Sequence, residues 1–272
     1  MAMYMGSSEE GSLAEVRYTD LNCDMGEGFG PYQMAPDAEL LRHVTSANIA
    51  CGFHAGDPRT MDLTVAIAVE SGAAIGAHVS YPDLVGFGRR HMRVSAEELT
   101  TDVLYQVGAL EAFCRRHGTT VRYLKAHGAL YNDLADDEKL AAALAKAVLG
   151  YGGALPVLTL SGSRSVQVLE EAGVRVVKEA FADRAYTAGG RLVPRREAGS
   201  VLTDPQKVAE RGRQLALGEP VEDRDGRPIF IEAGSICIHG DTPGAAVLAA
   251  ALRGALHEAG VEVRAFSLTG IS

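Results

Sequence analysis

The twelve residues VRYLKAHGALYN (Val121–Asn132) decide how the chain is read. Val121–Ala126 has the apolar composition of a strand, and at its carboxyl end it meets Lys125, His127 and a glycine. A short apolar run that ends in a polar turn before a helix-like stretch is the repeating unit of parallel α/β folds. Working outward, the same unit recurs, with strands expected at Val16–Cys23, Ser46–Cys51, Ala74–Val79, Leu155–Leu160, Val174–Ala180, Ile236–Ile238 and Val261–Phe266. Pro228–Glu232 reads as an extra strand or as the early part of the seventh.

Helix punctuation supports this division. Asp57-Pro58, Asp204-Pro205 and Thr242-Pro243 each set a capping side chain before a proline suited to a first helical position. Ser95 and Glu98 have the spacing of a capping box for a helix reaching about His117 and stopping at Gly118, and Gly72, Gly173 and Gly260 mark other helix ends. Seven or eight βα units with no composition break favour a single-domain parallel β/α barrel over residues 16–272, with 1–15 as a loose lead-in; a doubly wound open sheet is the alternative. The connection Arg184–Thr203 is longer than most in such units and reads as a lid or binding loop.

Composition narrows the function. A net charge of −9 over 272 residues argues against a phosphate-backbone partner, which requires a field of Lys and Arg. The four cysteines, Cys23, Cys51, Cys114 and Cys237, form no CxxC pair, so neither a zinc knuckle nor a redox dithiol is indicated, and a reducing cytoplasm fits. No apolar run approaches a membrane span, and the N-terminus lacks the basic start and apolar stretch of a signal peptide. The GxxxxGK[ST] phosphate loop, the HExxH zinc helix and the GxSxG elbow are all missing.

Residue types used in catalysis gather where strands end: DLNCDMGEG (Asp20–Gly28), ACGFHAGDP (Ala50–Pro58), GAHVSYPD (Gly76–Asp83), Leu124–Asn132, KEAFADRAY (Lys178–Tyr186) and CIHGDTPG (Cys237–Gly244). In a parallel barrel these loops converge on one rim, where active sites form. Strand alternation puts Asn22 with Asp24, Lys125 with His127, and His239 with Asp241 on common sides. Candidate site residues are therefore Asp24, Glu27, His54, His78, Lys125, His127, Asp183, Arg184, His239 and Asp241. Lys125 carries the strongest single signal, because a lysine inside an apolar strand demands a carboxylate or an anionic ligand. Arg89 and Arg90, in the glycine-bearing GFGRR (Gly86–Arg90), suit an anionic cofactor or a plain turn.

Taken in order, DLNCDMGEGFG, SANIACGFHAGDP, GAHVSYPDLVGFGRR, LKAHGALYN, EAFADRAYTAGGRLVPR and CIHGDTPGA resemble the LamB/YcsF family, over about Val16 to Phe266. The resemblance implies a β/α barrel related to polysaccharide deacetylases. It also implies ATP-dependent opening of 5-oxo-L-proline to L-glutamate, with separate B and C subunits of 5-oxoprolinase and ATP as co-substrate. On that footing Lys125 and Arg184 hold anionic groups and Asp24 or Glu27 acts as base, while His54, His78, His127 and His239 donate hydrogen bonds or shuttle protons. Two other readings compete: a metal-dependent deacetylase or amidohydrolase with Asp24, His54 and His127 as ligands, and a noncatalytic ligand-binding subunit.

Overall fold

Parallel pairing of the strands, first to last, closes the chain on itself. The computed structural model describes residues 17–32, 34–152 and 155–267, so the expected lead-in, 1–15, lies outside them, as does Val16. Its elements run β1 (Tyr18–Met25), α1 (Asp37–Leu40), β2 (Ser46–Ala50), α2 (Pro58–Ser71), β3 (Ala74–Val79), α3 (Ala96–Arg116), β4 (Tyr123–Ala126), α4 (Gly128–Asp136), α5 (Glu138–Tyr151), β5 (Val157–Leu160), α6 (Arg164–Glu171) and β6 (Val176–Phe181). They continue with α7 (Pro205–Leu217), β7 (Val221–Glu222), β8 (Pro228–Ile229), β9 (Ser235–Ile238), α8 (Ala245–Glu258) and β10 (Glu262–Val263).

Strands β1 to β6 pair in sequence, β6 pairs with β9, and β9 returns to β1, every pairing parallel. The barrel thus has seven staves, at the lower of the two expected counts. The expected last strand, Val261–Phe266, supplies only β10, which pairs with Tyr18 and Thr19, because β9 already occupies Asp20 through Cys23 of β1. Pro228–Ile229 likewise stays out of the barrel and forms an antiparallel pair with β7, consistent with a proline that cannot donate to a central ladder.

Side-chain caps set several helix starts, and one expected start is corrected. Asp57 accepts from the amides of Arg59 and Thr60, Asp204 from those of Gln206 and Lys207, and Ser95 with Glu98 forms the full capping box. The expected start at Thr242-Pro243 is not used: α8 begins at Ala245 behind Gly244 in the left-handed region (φ 76°). The Thr242 hydroxyl is instead committed to Asp183, at 3.1 Å. The long connection Arg184–Thr203 is itself folded, with bridges Arg184 to Val201 and Tyr186 to Leu192 and with Tyr186 and Val193 buried.

Alternate residues of β1 serve two environments. Leu21, Cys23 and Met25 join the apolar layer between strands and helices, whereas Asp20, Asn22 and Asp24, equally buried, join a polar network inside the barrel. Asp20 accepts from Thr45 at 2.7 Å, Ser46 at 2.6 Å and also from Ser235; burial nevertheless pushes its carboxyl up to about 6. Asn48 bridges Asn22 and Asp24, at 2.8 Å each, and accepts from the Tyr123 hydroxyl at 2.6 Å. Gly76 lets the fully buried Tyr123 ring lie against β3, since a Cβ at that position would overlap the ring. Gly76→Ala should therefore destabilise the fold by about 1–3 kcal/mol through overpacking, read as a lower denaturant midpoint at unchanged slope; an unchanged midpoint would show that the ring moves freely.

Candidate active site at the barrel mouth

Lys125 comes from β4 and ends between two carboxylates. Its Nζ lies 2.8 Å from Glu179 Oε1 and 3.0 Å from Asp24 Oδ1, with Asn22 Oδ1 at 3.1 Å and Cys237 Sγ at 3.3 Å. Burial opposes the charged amine, yet the adjoining Asp24, Cys237 and Glu179 hold its pKa well above the usual lysine range. Asp24 answers in kind: burial alone would raise it, but His78 and Lys125 hold it well below the usual carboxylate range. Tyr131 donates to the other oxygen of Glu179 at 2.7 Å. Sequence reasoning misses Glu179, although alternation through Phe181 to Asp183 places the three on one side of β6 and its extension.

Above this pair, Glu27, His54, His78 and His127 bring one ligand-type atom each to within 4.8 Å of one another, all buried. Glu27 Oε1 stands 3.4 Å from His54 Nε2 and from His127 Nδ1, and the His54 and His127 rings stack at 3.9 Å. Backbone carbonyls decide where the protons sit. His78 Nδ1 meets the Lys125 carbonyl at 3.3 Å and His127 Nε2 meets the Phe87 carbonyl at 3.0 Å. A carbonyl only accepts, so both nitrogens donate. In the neutral rings the remaining lone pairs, on His78 Nε2 and His127 Nδ1, then face each other at 3.0 Å.

Such an arrangement needs a positive centre. Burial and the neighbouring histidines hold the His127 pKa well below the usual range, and burial does the same to His54. Burial, with the Asp24 charge, pushes the Glu27 carboxyl well up. Glu27 Oε1 and both ring nitrogens of His54 are shielded and have no hydrogen-bond partner among the described residues. Three imidazoles and one carboxylate form a donor set suited to a divalent ion of the zinc type, and carbonyl-anchored second nitrogens are the usual means of orienting such ligands. The residues that fit are Glu27, His54, His78 and His127; of the expected ligands, Asp24 is instead engaged by Lys125 and Asn48.

The turn after β3 seals the stack. Phe87 has φ +54°, and a Cβ on Gly88 would come within 2.8 Å of both His54 and His127. GFGRR is thus a turn pressed onto the histidines. Of its two cations only Arg89 faces the cavity; Arg90 points outward and pairs with Asp83, Nε to Oδ1 at 2.8 Å.

Across the mouth, His239 Nδ1 lies 3.0 Å from Asp183 Oδ1, and Asp183 also accepts from the His239 amide and the Thr242 hydroxyl. The His239 ring stacks on Phe181 at 5.3 Å. Burial would raise Asp183, but the His239 contacts hold it below the usual range. Arg184, expected beside an anionic ligand, turns its guanidinium to the Ser200 and Val193 carbonyls and so ties the long loop to its strand. Burial and the nearby Arg195 lower the Arg184 guanidinium to about 10. A cavity of about 590 Å³ joins these groups, lined by Asp24, Glu27, Lys125 and His127 below and by Arg89, His239 and Asp241 above, among others.

A sequence model of the LamB/YcsF family matches residues 19–270. A relative from Kocuria rhizophila, named as the A subunit of 5-oxoprolinase, is 54% identical over 248 residues, covering 91% of this chain and 98% of that protein. One of the same name from Streptomyces avermitilis is also 54% identical, covering 91% and 99%. The crystal structure of a lactam utilization protein from Thermus thermophilus superposes with a TM-score of 0.87 at 45% identity, over 92% of this chain and all of that one.

The Lys125 geometry generates a stability test. Lys125→Met keeps an apolar stem but leaves Asp24 and Glu179 facing each other without a cation, so the variant should lose about 3–5 kcal/mol. Adding Glu179→Gln should return part of that loss. Equal denaturant midpoints for Lys125→Met and the unaltered protein would mean that the carboxylates take up protons at little expense.

Proposed function

The chain belongs to the LamB/YcsF family, and on that premise we propose that it is the A subunit of an ATP-dependent 5-oxoprolinase, working with B and C subunits to open 5-oxo-L-proline to L-glutamate. The observation that carries the reading is the match, at 54% identity and over 98–99% of their length, to relatives named for that activity. The lactam utilization protein of the same fold supports the cyclic amide as the substrate class. The barrel of the described residues serves as the catalytic domain. Four free, buried cysteines suit a reducing cytoplasm, and no helix among the described residues is long and apolar enough to cross a membrane.

A five-membered lactam is a stabilised amide. Its opening requires an activated carbonyl, a deprotonated water and a proton for the departing ring nitrogen; phosphorylation of the exocyclic carbonyl oxygen by ATP, with release of ADP, meets the first need, and phosphate leaves once water has added. His239 serves the proton transfers, because Asp183 fixes its Nδ1 proton and leaves Nε2 for the substrate. Asp24 and Glu27 sit at the cavity floor, and Asp24, held ionised, lies 3.3 Å from His78 Nε2. Lys125 acts as a positioning residue: it fixes the Asp24 charge and thereby the histidine that Asp24 faces. A divalent ion bound by Glu27, His54, His78 and His127 would supply a Lewis acid for the carbonyl or for water.

That donor set also favours a second reading, metal-dependent deacetylation or amide hydrolysis without ATP. A purely noncatalytic binding role is disfavoured by the number of desolvated charges, which a scaffold gains nothing from burying.

The test is turnover of 5-oxoproline and ATP by the chain alone and after addition of B and C partners. Little turnover alone and coupled glutamate and ADP formation in the mixture are expected; full turnover by the pure chain, or ATP-independent amide hydrolysis, would overturn the reading. In the mixture His239→Asn should lower kcat by roughly 10²–10⁴-fold with thermal unfolding unchanged. Metal analysis provides a separate readout: protein purified without added ions should carry a divalent metal that His54→Ala and His127→Ala both abolish.

A further inference from the structure

Three loops meet over the cavity in one charge cluster. Arg89, from the turn after β3, donates to Asp241 Oδ2, and Arg195, from the long loop after β6, reaches both oxygens of the same carboxylate at 3.4 Å. Asp241 itself follows β9. One carboxylate therefore faces two guanidinium groups, and the cluster keeps a net positive charge. Arg195 Nη2 is shielded from solvent and has no hydrogen-bond partner among the described residues. Arg89 also lies 4.9 Å above the Phe87 ring, whose backbone carbonyl holds His127, so the cluster is mechanically joined to the histidines below. All three residues line the 590 Å³ cavity.

A planar guanidinium matches a two-oxygen anion, and two of them converging from separate loops form a receptor rather than a surface ion pair. Arg184 and Arg191 do not compete for this role: the first is tied to loop carbonyls, the second to Ala135 O and Asp136. We propose that Arg89 and Arg195 form the oxyanion receptor of the site, and that Asp241 is an internal stand-in displaced when the ligand's anionic group arrives. The inference rests on the 5-oxoprolinase reading for the ligand's identity, where the oxyanion is either the carboxylate of 5-oxoproline or a phosphoryl group. Displacing Asp241 loosens the link between the three loops at the moment of binding, which makes the cluster a clasp as well as a receptor.

The experiment is calorimetric titration of the whole chain with 5-oxo-L-proline, with 2-pyrrolidinone, which is the same lactam without the carboxylate, and with inorganic phosphate. Arg195→Gln should weaken the oxyanion ligand by roughly ten- to a hundredfold and leave 2-pyrrolidinone unaffected. Asp241→Asn should tighten the same oxyanion several-fold, because the internal competitor loses its charge. Loss confined to 5-oxoproline identifies the carboxylate as the bound group, and loss of phosphate binding identifies a phosphoryl group. Unchanged oxyanion binding in Arg195→Gln, with the fold verified by thermal unfolding, overturns the proposal, as does an Asp241→Asn variant that binds oxyanions more weakly. The two readings fail separately. If Arg195→Gln supports normal 5-oxoproline turnover with the partners, the receptor falls and the enzyme assignment stands. Clasp-dependent phosphate binding by a chain that never binds or turns over 5-oxoproline would leave the receptor standing and remove that assignment.

Discussion

A lysine ammonium inside a barrel has no water to turn to, and the Lys125 charge organises much of what surrounds it. Asp24 and Glu179 must both lie within ion-pair distance, at 3.0 and 2.8 Å, for the burial to be tolerable. That requirement links β4 to β1 and β6, strands far apart in sequence. It also spreads: Glu179 takes a hydrogen bond from Tyr131, and Asp24 takes one from Asn48 and lies 3.3 Å from His78 Nε2. Each partner then has remaining lone pairs or protons to satisfy, and the network continues down to Asp20 and Ser235. Bulky branched side chains usually fill the interior of a parallel barrel; here a hydrogen-bonded polar column takes much of it, beside a small apolar cluster of Tyr123, Leu158, Val177 and Phe266, and the larger apolar core lies outside the strands.

The column has a consequence at the mouth. Burial disfavours a charged Glu27, and because Asp24 is held ionised beside Lys125, Glu27 cannot readily carry a second negative charge nearby. His54 and His127 are themselves pushed toward neutrality by burial. A cluster of neutral imidazoles beside a reluctant carboxylate is poorly satisfied by protons alone and well satisfied by a cation. The carbonyls of Lys125 and Phe87, one from the strand and one from the turn above it, aim the two free lone pairs at a common point. On the proposed reading the mouth pairs a metal-binding floor with an anion-binding roof, a polarity matched to a substrate whose carbonyl is activated at one end while its charged group is held at the other.

Much of this is legible in the residues alone. The βα repeat, the proline-marked helix starts at Asp57 and Asp204 and the Ser95 capping box are local signals that depend on neighbours within a turn of helix. The gathering of Asp24, His54, His78, Lys125, His127 and His239 at strand ends follows from the barrel rule; all but His54 line one cavity, and His54 stacks on His127 behind it. Thr242-Pro243 misleads because the threonine hydroxyl has a long-range partner, Asp183, that local spacing does not reveal. The stave count turns on the same kind of fact, since only the closed register shows that β9 and β10 both adjoin β1 along different segments.

By itself, the sequence determined the fold class, the end of the barrel that carries the chemistry and the residue types present there, because periodicity and strand-end position are properties of neighbouring residues. Tertiary structure alone decided who pairs with whom. Glu179 became the second counter-ion of Lys125, Glu27 and His78 rather than Asp24 joined His54 and His127, and Arg184 went to backbone carbonyls while Arg195 reached Asp241. Those choices turn on distances of 3 to 4 Å between side chains separated by tens to hundreds of residues, and electrostatic and hydrogen-bond energies at that range fall off within an ångström or so of error.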